Sequence, residues 1–344
     1  MNNLFVCHTQ YNLMLATGLV LSDFKNDKND LILFEDFNIT ESLKKELKSL
    51  FQNLIFINHL PVVLSPAKEK MDRIMNDIKL LKSWIDTSYD RLFIVDDMCI
   101  QEMFIMKQVF QINDTVEMSW LEDGASAYFN TGVVSSGMGS SALKRFIRKT
   151  AFTIMFNLYG FYDLAVCVGA HKRLTKIYLT FPNARKELIH KDTVLISQES
   201  VEKGMKVLYP GNSFEADEGS VLIALDKLDR YGDNLNTVHK IVEDIVKKCK
   251  LDGRTVYYKF HPRENQTIPC LKDCIQLDKT IAAESYLIHC PHRNLQVVGI
   301  MTTTLQTALK LRYDAISYIK LMNNSNPEIA KFYENIGIKC PNSL

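Results

Sequence analysis

Val221-Leu222-Ile223-Ala224-Leu225, then residues 236–248, then Thr255-Val256-Tyr257-Tyr258-Lys259-Phe260 read as strand, helix, strand. The two outer runs are short, apolar and rich in β-branched and aromatic residues. The middle one places Val238, Ile241, Ile245 and Val246 at helical spacing. Parallel strands need a crossover of this length, and they are buried on both faces, so they read as continuous apolar runs. The same rhythm continues with a strand at 297–300, a strand at 315–319 and a closing helix at 327–336.

The first half repeats it. Strands are expected at 3–7, 31–34, 54–57, 91–95 and 116–120. Helices are expected at 11–21, at 42–51 with Thr40 or Ser42 as the cap, and at 68–85 through Met71, Ile74, Ile78, Leu81 and Trp84. Strand and helix alternating throughout predict α/β architecture, with a parallel sheet covered on both faces in each half. Two such halves read as two Rossmann-like domains facing a central cleft. Periodicity weakens between about Gly169 and Asp192, which places the boundary there: domains 1–175 and 176–344.

Bulk properties agree. The chain has 344 residues, 47% hydrophobic and 24% charged, which suits two soluble globular domains. A net charge of +1 gives no global field for nucleic acid. The opening Leu4-Phe5-Val6-Cys7 is too short, and lacks the basic flank, for a secretory signal. Eight scattered cysteines, mostly beside apolar runs, read as reduced thiols, so a cytoplasmic setting is expected. Cys270, Cys274, His289, Cys290 and His292 lack the spacing of a structural zinc site.

Residues 141–167 depart from the rhythm. Lys144, Arg145, Arg148 and Lys149 precede Phe152-Thr153-Ile154-Met155-Phe156. The apolar stretch is too short to span a bilayer. The plain reading is a core helix, or an inter-subunit helix of a homodimer, with a solvated basic start. The sharper reading is a helix lying on an anionic membrane surface, peripheral at its inner face.

Three runs follow strands, where ligands of open α/β sheets bind. In Glu122-Asp123-Gly124 the adjacent carboxylates are expected to repel and raise one pKa, which favours a general base. Gly124 admits a positive φ. The triplet alone is an ordinary turn, but Trp120 and Tyr128-Phe129 around it predict a half-buried setting. In His261-Pro262 the proline restricts the histidine backbone and fixes the imidazole's direction, so that its N–H can meet a phosphate. Arg263 adds charge or faces solvent. Thr302-Thr303-Thr304 opens a helix, whose free N–H groups and hydroxyls suit a phosphate, or simply an N-cap.

Taken together, the three runs resemble the bacterial GT-B sialyltransferases. These carry an acidic Asp/Glu-Asp/Glu-Gly motif, a His-Pro motif and a later Ser/Thr motif. The nearest resemblance is to glycosyltransferase family 52, the lipooligosaccharide and capsule sialyltransferases, with the family 38 polysialyltransferases as relatives. Phe5-Val6-Cys7-His8-Thr9-Gln10-Tyr11 also looks like the start of family 52 members. The resemblance implies the GT-B fold and transfer of sialic acid from CMP-sialic acid to a glycan hydroxyl. It implies Asp123 as catalytic base beside Glu122. It also implies donor contacts from His261, Pro262, Thr302, Thr303 and Thr304, with Glu284 as the nucleotide-binding acid. The family run usually carries serines, so which threonine touches phosphate stays open. No metal or other cofactor is expected, and no Asp-x-Asp run occurs. A GT-B enzyme for another sugar nucleotide, a sugar-nucleotide epimerase and a non-catalytic binding protein remain as alternatives.

Overall fold

A computed structural model describes residues 1–57, 67–128, 142–163, 167–186, 189–211, 214–323 and 327–343. They form two compact units, Met1–Leu208 and Tyr209–Leu344.

In the first unit the strands are β1 (Asn2–Cys7), β2 (Lys28–Phe34), β3 (Leu54–Ile57), β4 (Arg91–Ile94), β5 (Glu117–Leu121), β6 (Lys176–Leu179) and β7 (Asp192–Leu195). They make one parallel sheet in the order β3-β2-β1-β4-β5-β6-β7. The central runs are sealed on both faces: Leu4, Phe5, Val6 and Leu31 to Phe34 are all 0% exposed. Phe5 pairs with Phe93 across β1 and β4, and the two rings stack at 4.4 Å. Trp120 is fully buried, and its indole N–H donates to the Val95 carbonyl at 2.7 Å.

The helices are α1 (Gln10–Leu21), α2 (Glu41–Leu50), α3 (Ala67–Trp84), α4 (Ile100–Ile112), α5 (Ala142–Met155) and α6 (Gln198–Leu208). Thr40 caps α2, as the sequence predicts. Helix α1 begins with a capping box between Thr9 and Asn12 and buries every residue from Asn12 to Val20. That burial is possible because α6 lies directly on it. A methyl group on Gly18 would sit 2.0 Å from the Ser200 carbonyl oxygen, and one on Gly204 would sit 1.9 Å from that of Met14. Only hydrogen fits at either place.

The division at Leu208 differs from the boundary expected at 175/176. Strand β6 pairs with β5 and β7 with β6, continuing the first sheet, and α6 packs on α1 within the same unit. The two strands escape a pattern reading because β7 is a half-exposed edge strand and, among the described residues, no α-helix separates it from β6 to continue the rhythm.

The second unit holds β8 (Val221–Ala224), α7 (Leu235–Leu251), β9 (Val256–Lys259), β10 (Ile275–Gln276), α8 (Ala283–His289), β11 (Gln296–Gly299), α9 (Thr303–Lys310), β12 (Asp314–Ser317) and α10 (Pro327–Ile336). Its parallel sheet runs β10-β9-β8-β11-β12. In both sheets the strand order reverses beside the first strand, between β1 and β4 and between β8 and β11. Such switch points open a crevice at the carboxyl ends of the strands. Among the described residues no helix is long and apolar enough to cross a membrane. Phe129, Ser141 and residues 164–166 lie outside the described residues, as do the side chains of Lys144, Arg145 and Arg148.

Candidate functional site

Each unit carries a cluster of polar groups at the carboxyl ends of its strands. In the first unit, four neighbouring strands deliver Asp36 (after β2), His8 (after β1), Asp96-Asp97 (after β4) and Glu122-Asp123 (after β5).

The two acids after β5 have separate environments. Glu122 is completely buried. Its carboxylate accepts from the Tyr11 hydroxyl at 2.6 Å, the Thr180 backbone N–H at 2.5 Å and the Thr180 hydroxyl at 3.0 Å. Asp123 is half-buried, and its Oδ1 accepts from the Asn12 side-chain amide at 3.1 Å. That amide also donates to the Glu122 carbonyl, while its oxygen is held by the Thr9 N–H and hydroxyl. The capping residue of α1 therefore orients the Asp123 carboxylate.

Both carboxyls are raised above their ordinary range, and burial is the first cause for each. For Asp123 the Asn12 bond pulls the value down, nearby Glu102 pushes it up, and His8 pulls it down. Mutual repulsion of the neighbours, the cause expected from the sequence, is not what shifts them. The chain turns between them, so Glu122 faces Tyr11 and Thr180 while Asp123 faces Asn12. Gly124 takes the positive φ expected of it, +52°, and Tyr128 is buried as expected.

In the second unit, three separated stretches converge on one cavity of about 320 Å³. Its walls include His261 and Pro262 after β9, Glu284 at the start of α8, and Thr302, Thr303 and Thr304 at the start of α9. All six donor-side residues expected from the sequence are thus brought together. The cavity also takes in Asp226, Arg230 and Lys259, which the sequence reading missed.

The imidazole of His261 is held in one tautomer. Its Nδ1 accepts from the Arg263 backbone N–H at 3.1 Å, so the ring proton sits on Nε2. Burial lowers its pKa; Asp226 opposes this, while Arg230, Arg263 and Lys259 add to it. The neutral ring is therefore a hydrogen-bond donor at Nε2. The Arg263 side chain is exposed and lies outside the cavity wall.

A buried carboxylate fixes the loop that carries this ring. Glu264 accepts from the backbone N–H groups of Leu228, Asn265 and Gln266 at 2.6, 2.8 and 2.7 Å. It ties the turn after β9 to the turn after β8.

At α9, Thr302 is the N-cap, and its hydroxyl accepts from the Thr304 N–H at 3.3 Å. Thr304 is buried and Thr303 is exposed. Gly299 lets the strand end close on this turn, since a Cβ there would meet the Ala224 carbonyl and the Thr302 methyl at 2.9 Å. In the same cavity, burial raises the half-buried Glu284 carboxyl and lowers the Lys259 ammonium, each partly offset by the other's charge. Lys259 Nζ donates to the Phe260 and Lys279 carbonyls at 3.2 and 3.3 Å.

Of the cysteine and histidine group weighed as a metal site, His289 Nε2 lies 2.6 Å from the Tyr209 carbonyl oxygen, and Cys290 is buried. Elsewhere, His8, Cys99 and Glu102 bring potential ligand atoms within 4.8 Å of one another. Burial lowers the His8 imidazole, but the Asp36 and Glu102 carboxylates on either side of it raise its pKa to about 10.

The family model for Alpha-2,8-polysialyltransferase (POLYST) matches residues 3–317. No curated protein matches the sequence. Among solved structures, an alpha/beta-galactoside alpha-2,3-sialyltransferase from the luminous marine bacterium Photobacterium phosphoreum superposes with a TM-score of 0.56. It is 12% identical, over 99% of this chain and 97% of that one. The UDP-GlcNAc 2-epimerase of Methanocaldococcus jannaschii gives 0.54 at 11% identity, over 99% and 94%. At such identities the likeness is one of fold: two Rossmann-like domains of the GT-B kind. The family match is more specific, because it runs through both strand-end clusters, from His8 to the threonine turn. The chain belongs to the alpha-2,8-polysialyltransferase family and is a sialyltransferase, a glycosyltransferase dependent on CMP-sialic acid.

Proposed function

We propose that the protein is an inverting sialyltransferase that builds on a cell-surface glycan, a lipooligosaccharide or a capsule. The convergence of His261, Glu284 and Thr302–Thr304 on one cavity carries this reading. The second unit binds CMP-sialic acid, and the first meets the acceptor. Asp123 takes the proton from the acceptor hydroxyl as its oxygen attacks the anomeric carbon. The bond from that carbon to the phosphate oxygen breaks, and CMP leaves with the electron pair. The transition state is oxocarbenium-like. His261 Nε2–H, the positive end of the α9 dipole and the exposed Thr303 hydroxyl stabilise the phosphate. These neutral donors and the helix dipole do the work that a divalent cation does in metal-dependent transferases, so none is required. Glu284 binds the nucleotide in the same cavity.

Helix α5 supports a peripheral membrane contact. Ile147, Ala151, Ile154 and Met155 fall on one face of it and are exposed, and the helix carries four basic residues and no acidic one. Incubation with a panel of sugar nucleotides, with and without glycan acceptors, tests the assignment. Acceptor-dependent release of CMP from CMP-sialic acid alone is expected, and Asp123→Asn is expected to abolish it. Turnover of another nucleotide sugar without any acceptor would instead indicate an epimerase.

A further inference from the structure

The base of the reaction stands in a field of negative charge, with one cation at its centre. Glu102 rises from α4 and is fully buried, its carboxylate accepting from the Val95 and Asp96 N–H groups at 2.8 and 3.0 Å. Asp96 follows on β4, Asp36 on β2 and Asp123 on β5. Between them lies His8. Its Nδ1 is 3.0 Å from Asp36 and its Nε2 is 2.9 Å from Glu102. The ring stacks on Phe34 at 4.2 Å, with 6° between the planes. A ring clamped at both nitrogens by carboxylates, and fixed in rotation by stacking, is a stationary positive charge at the switch point of the sheet.

The geometry points to His8 as a positioning residue for the transfer reaction: its imidazolium offsets the negative field of Glu102 and Asp96, so that Asp123 stands ionised to receive the acceptor proton. This inference rests on the assignment of Asp123 as the base.

The surrounding groups leave His8 alone in that role among the described residues. Cys7 and Cys99 are held as neutral thiols by burial and by Glu102. Tyr11 is neutral and committed to Glu122. Glu102 raises both Asp96 and Asp123, and His8 lowers both. Burial alone would lower the imidazole, but its bonds to Asp36 and Glu102 outweigh that and carry it to about 10. The ring thus stays charged through the range in which a carboxylate titrates. It acts as a fixed charge rather than a switch.

The test is the pH profile of kcat/KM for CMP-sialic acid transfer in the full chain, for wild type, His8→Gln, Glu102→Gln and Asp123→Asn. Glutamine at position 8 can still hydrogen-bond but carries no charge. The acid limb of His8→Gln should move to higher pH. A loss on the order of tenfold is expected at pH 5.5, shrinking to within about twofold at pH 8.5. Glu102→Gln removes a negative charge and should move the limb the opposite way, which structural damage would not do. If His8→Gln fails to fold, as judged by thermal unfolding and CMP binding, the titration of the His8 ring followed by NMR in the wild type carries the test: a ring that stays protonated above about pH 8 is expected, and one that loses its proton below about pH 7 would overturn the inference. A lowered plateau with an unmoved acid limb in folded His8→Gln would overturn the inference, whatever Glu102→Gln does. Retained turnover in Asp123→Asn would instead show that the base itself is misassigned.

Discussion

Glu122→Gln and Asp123→Asn make the same chemical change one residue apart, and they should fail in opposite ways. The Glu122 carboxylate receives the Tyr11 hydroxyl, the Thr180 N–H and the Thr180 hydroxyl among its donors, with no access to water. An amide has one acceptor oxygen. With that oxygen toward Tyr11 and the Thr180 hydroxyl, the new NH₂ meets the Thr180 backbone N–H, donor against donor. With the amide flipped, the two hydroxyls can turn to accept, but the Tyr11 proton then loses its acceptor. Either way one buried donor is stranded and the others lose their charge assistance. The expected cost is about 2–4 kcal/mol. For a unit of 208 residues this lowers Tm by about 5–15 °C. Asp123 is only half-buried, and its Asn12 bond can also be made to an amide oxygen, so its amide should shift Tm by less than about 3 °C. Its kcat, however, should fall 10²–10⁴-fold on the order of a lost general base, with CMP affinity nearly unchanged. Thermal unfolding and initial rates at 20 °C, normalised to folded protein, separate the two. An unchanged Tm with lost turnover in Glu122→Gln would refute the division into buried anchor and working base.

His261→Ala should weaken CMP binding while leaving cytidine binding nearly unchanged, because Nε2–H is assigned to the phosphate; equal losses for both ligands in titration calorimetry would place the ring elsewhere. Activity should persist in EDTA, and a complete loss restored by added metal would contradict phosphate neutralisation by His261 and α9. Gly18→Ala forces α1 and α6 apart by about 1 Å and should cost about 1–3 kcal/mol or more, read as a lower urea midpoint at constant slope. Neutralising Lys144, Arg145, Arg148 and Lys149 together should abolish salt-sensitive binding to anionic liposomes and spare transfer to a small soluble acceptor, at about 1 kcal/mol per charge; loss of dimerisation with unchanged liposome binding would assign α5 to a subunit interface.

The strand and helix alternation is legible because parallel strands buried on both faces read as apolar runs, as at Phe5, Leu31–Phe34 and Val221–Leu225. The donor cavity is legible because each of its motifs follows its own strand. What the sequence hides is the order of those strands. His8 and Asp36 meet Glu102 and Asp123 only because β2, β1, β4 and β5 are neighbours, and they are up to 115 residues apart in the chain. Asn12 looks like one more polar residue at a helix start; its grip on Asp123 follows from the capping box and the approach of β5 together. The distinct fates of Glu122 and Asp123 depend on Tyr11 and Thr180, which no local pattern links to them. The boundary at Leu208 is hidden for a related reason: nothing local in β6 or the exposed edge strand β7 says which sheet they join.

The seating of α6 against α1 sets when the first unit can mature during synthesis. The face of α1 that buries Gly18 emerges from the ribosome almost two hundred residues before the helix that covers it. Until then the most apolar helix of the unit waits uncovered, and until residue 179 the edge of β5 does too. Domains fold as units as they emerge, and exposed apolar faces and strand edges are what chaperones bind and aggregates grow from. A chain stopped at residue 175 would hold that immature state permanently. One that reaches residue 208 closes its first helix under its last, and the long wait ends in a contact too close to admit even one methyl group.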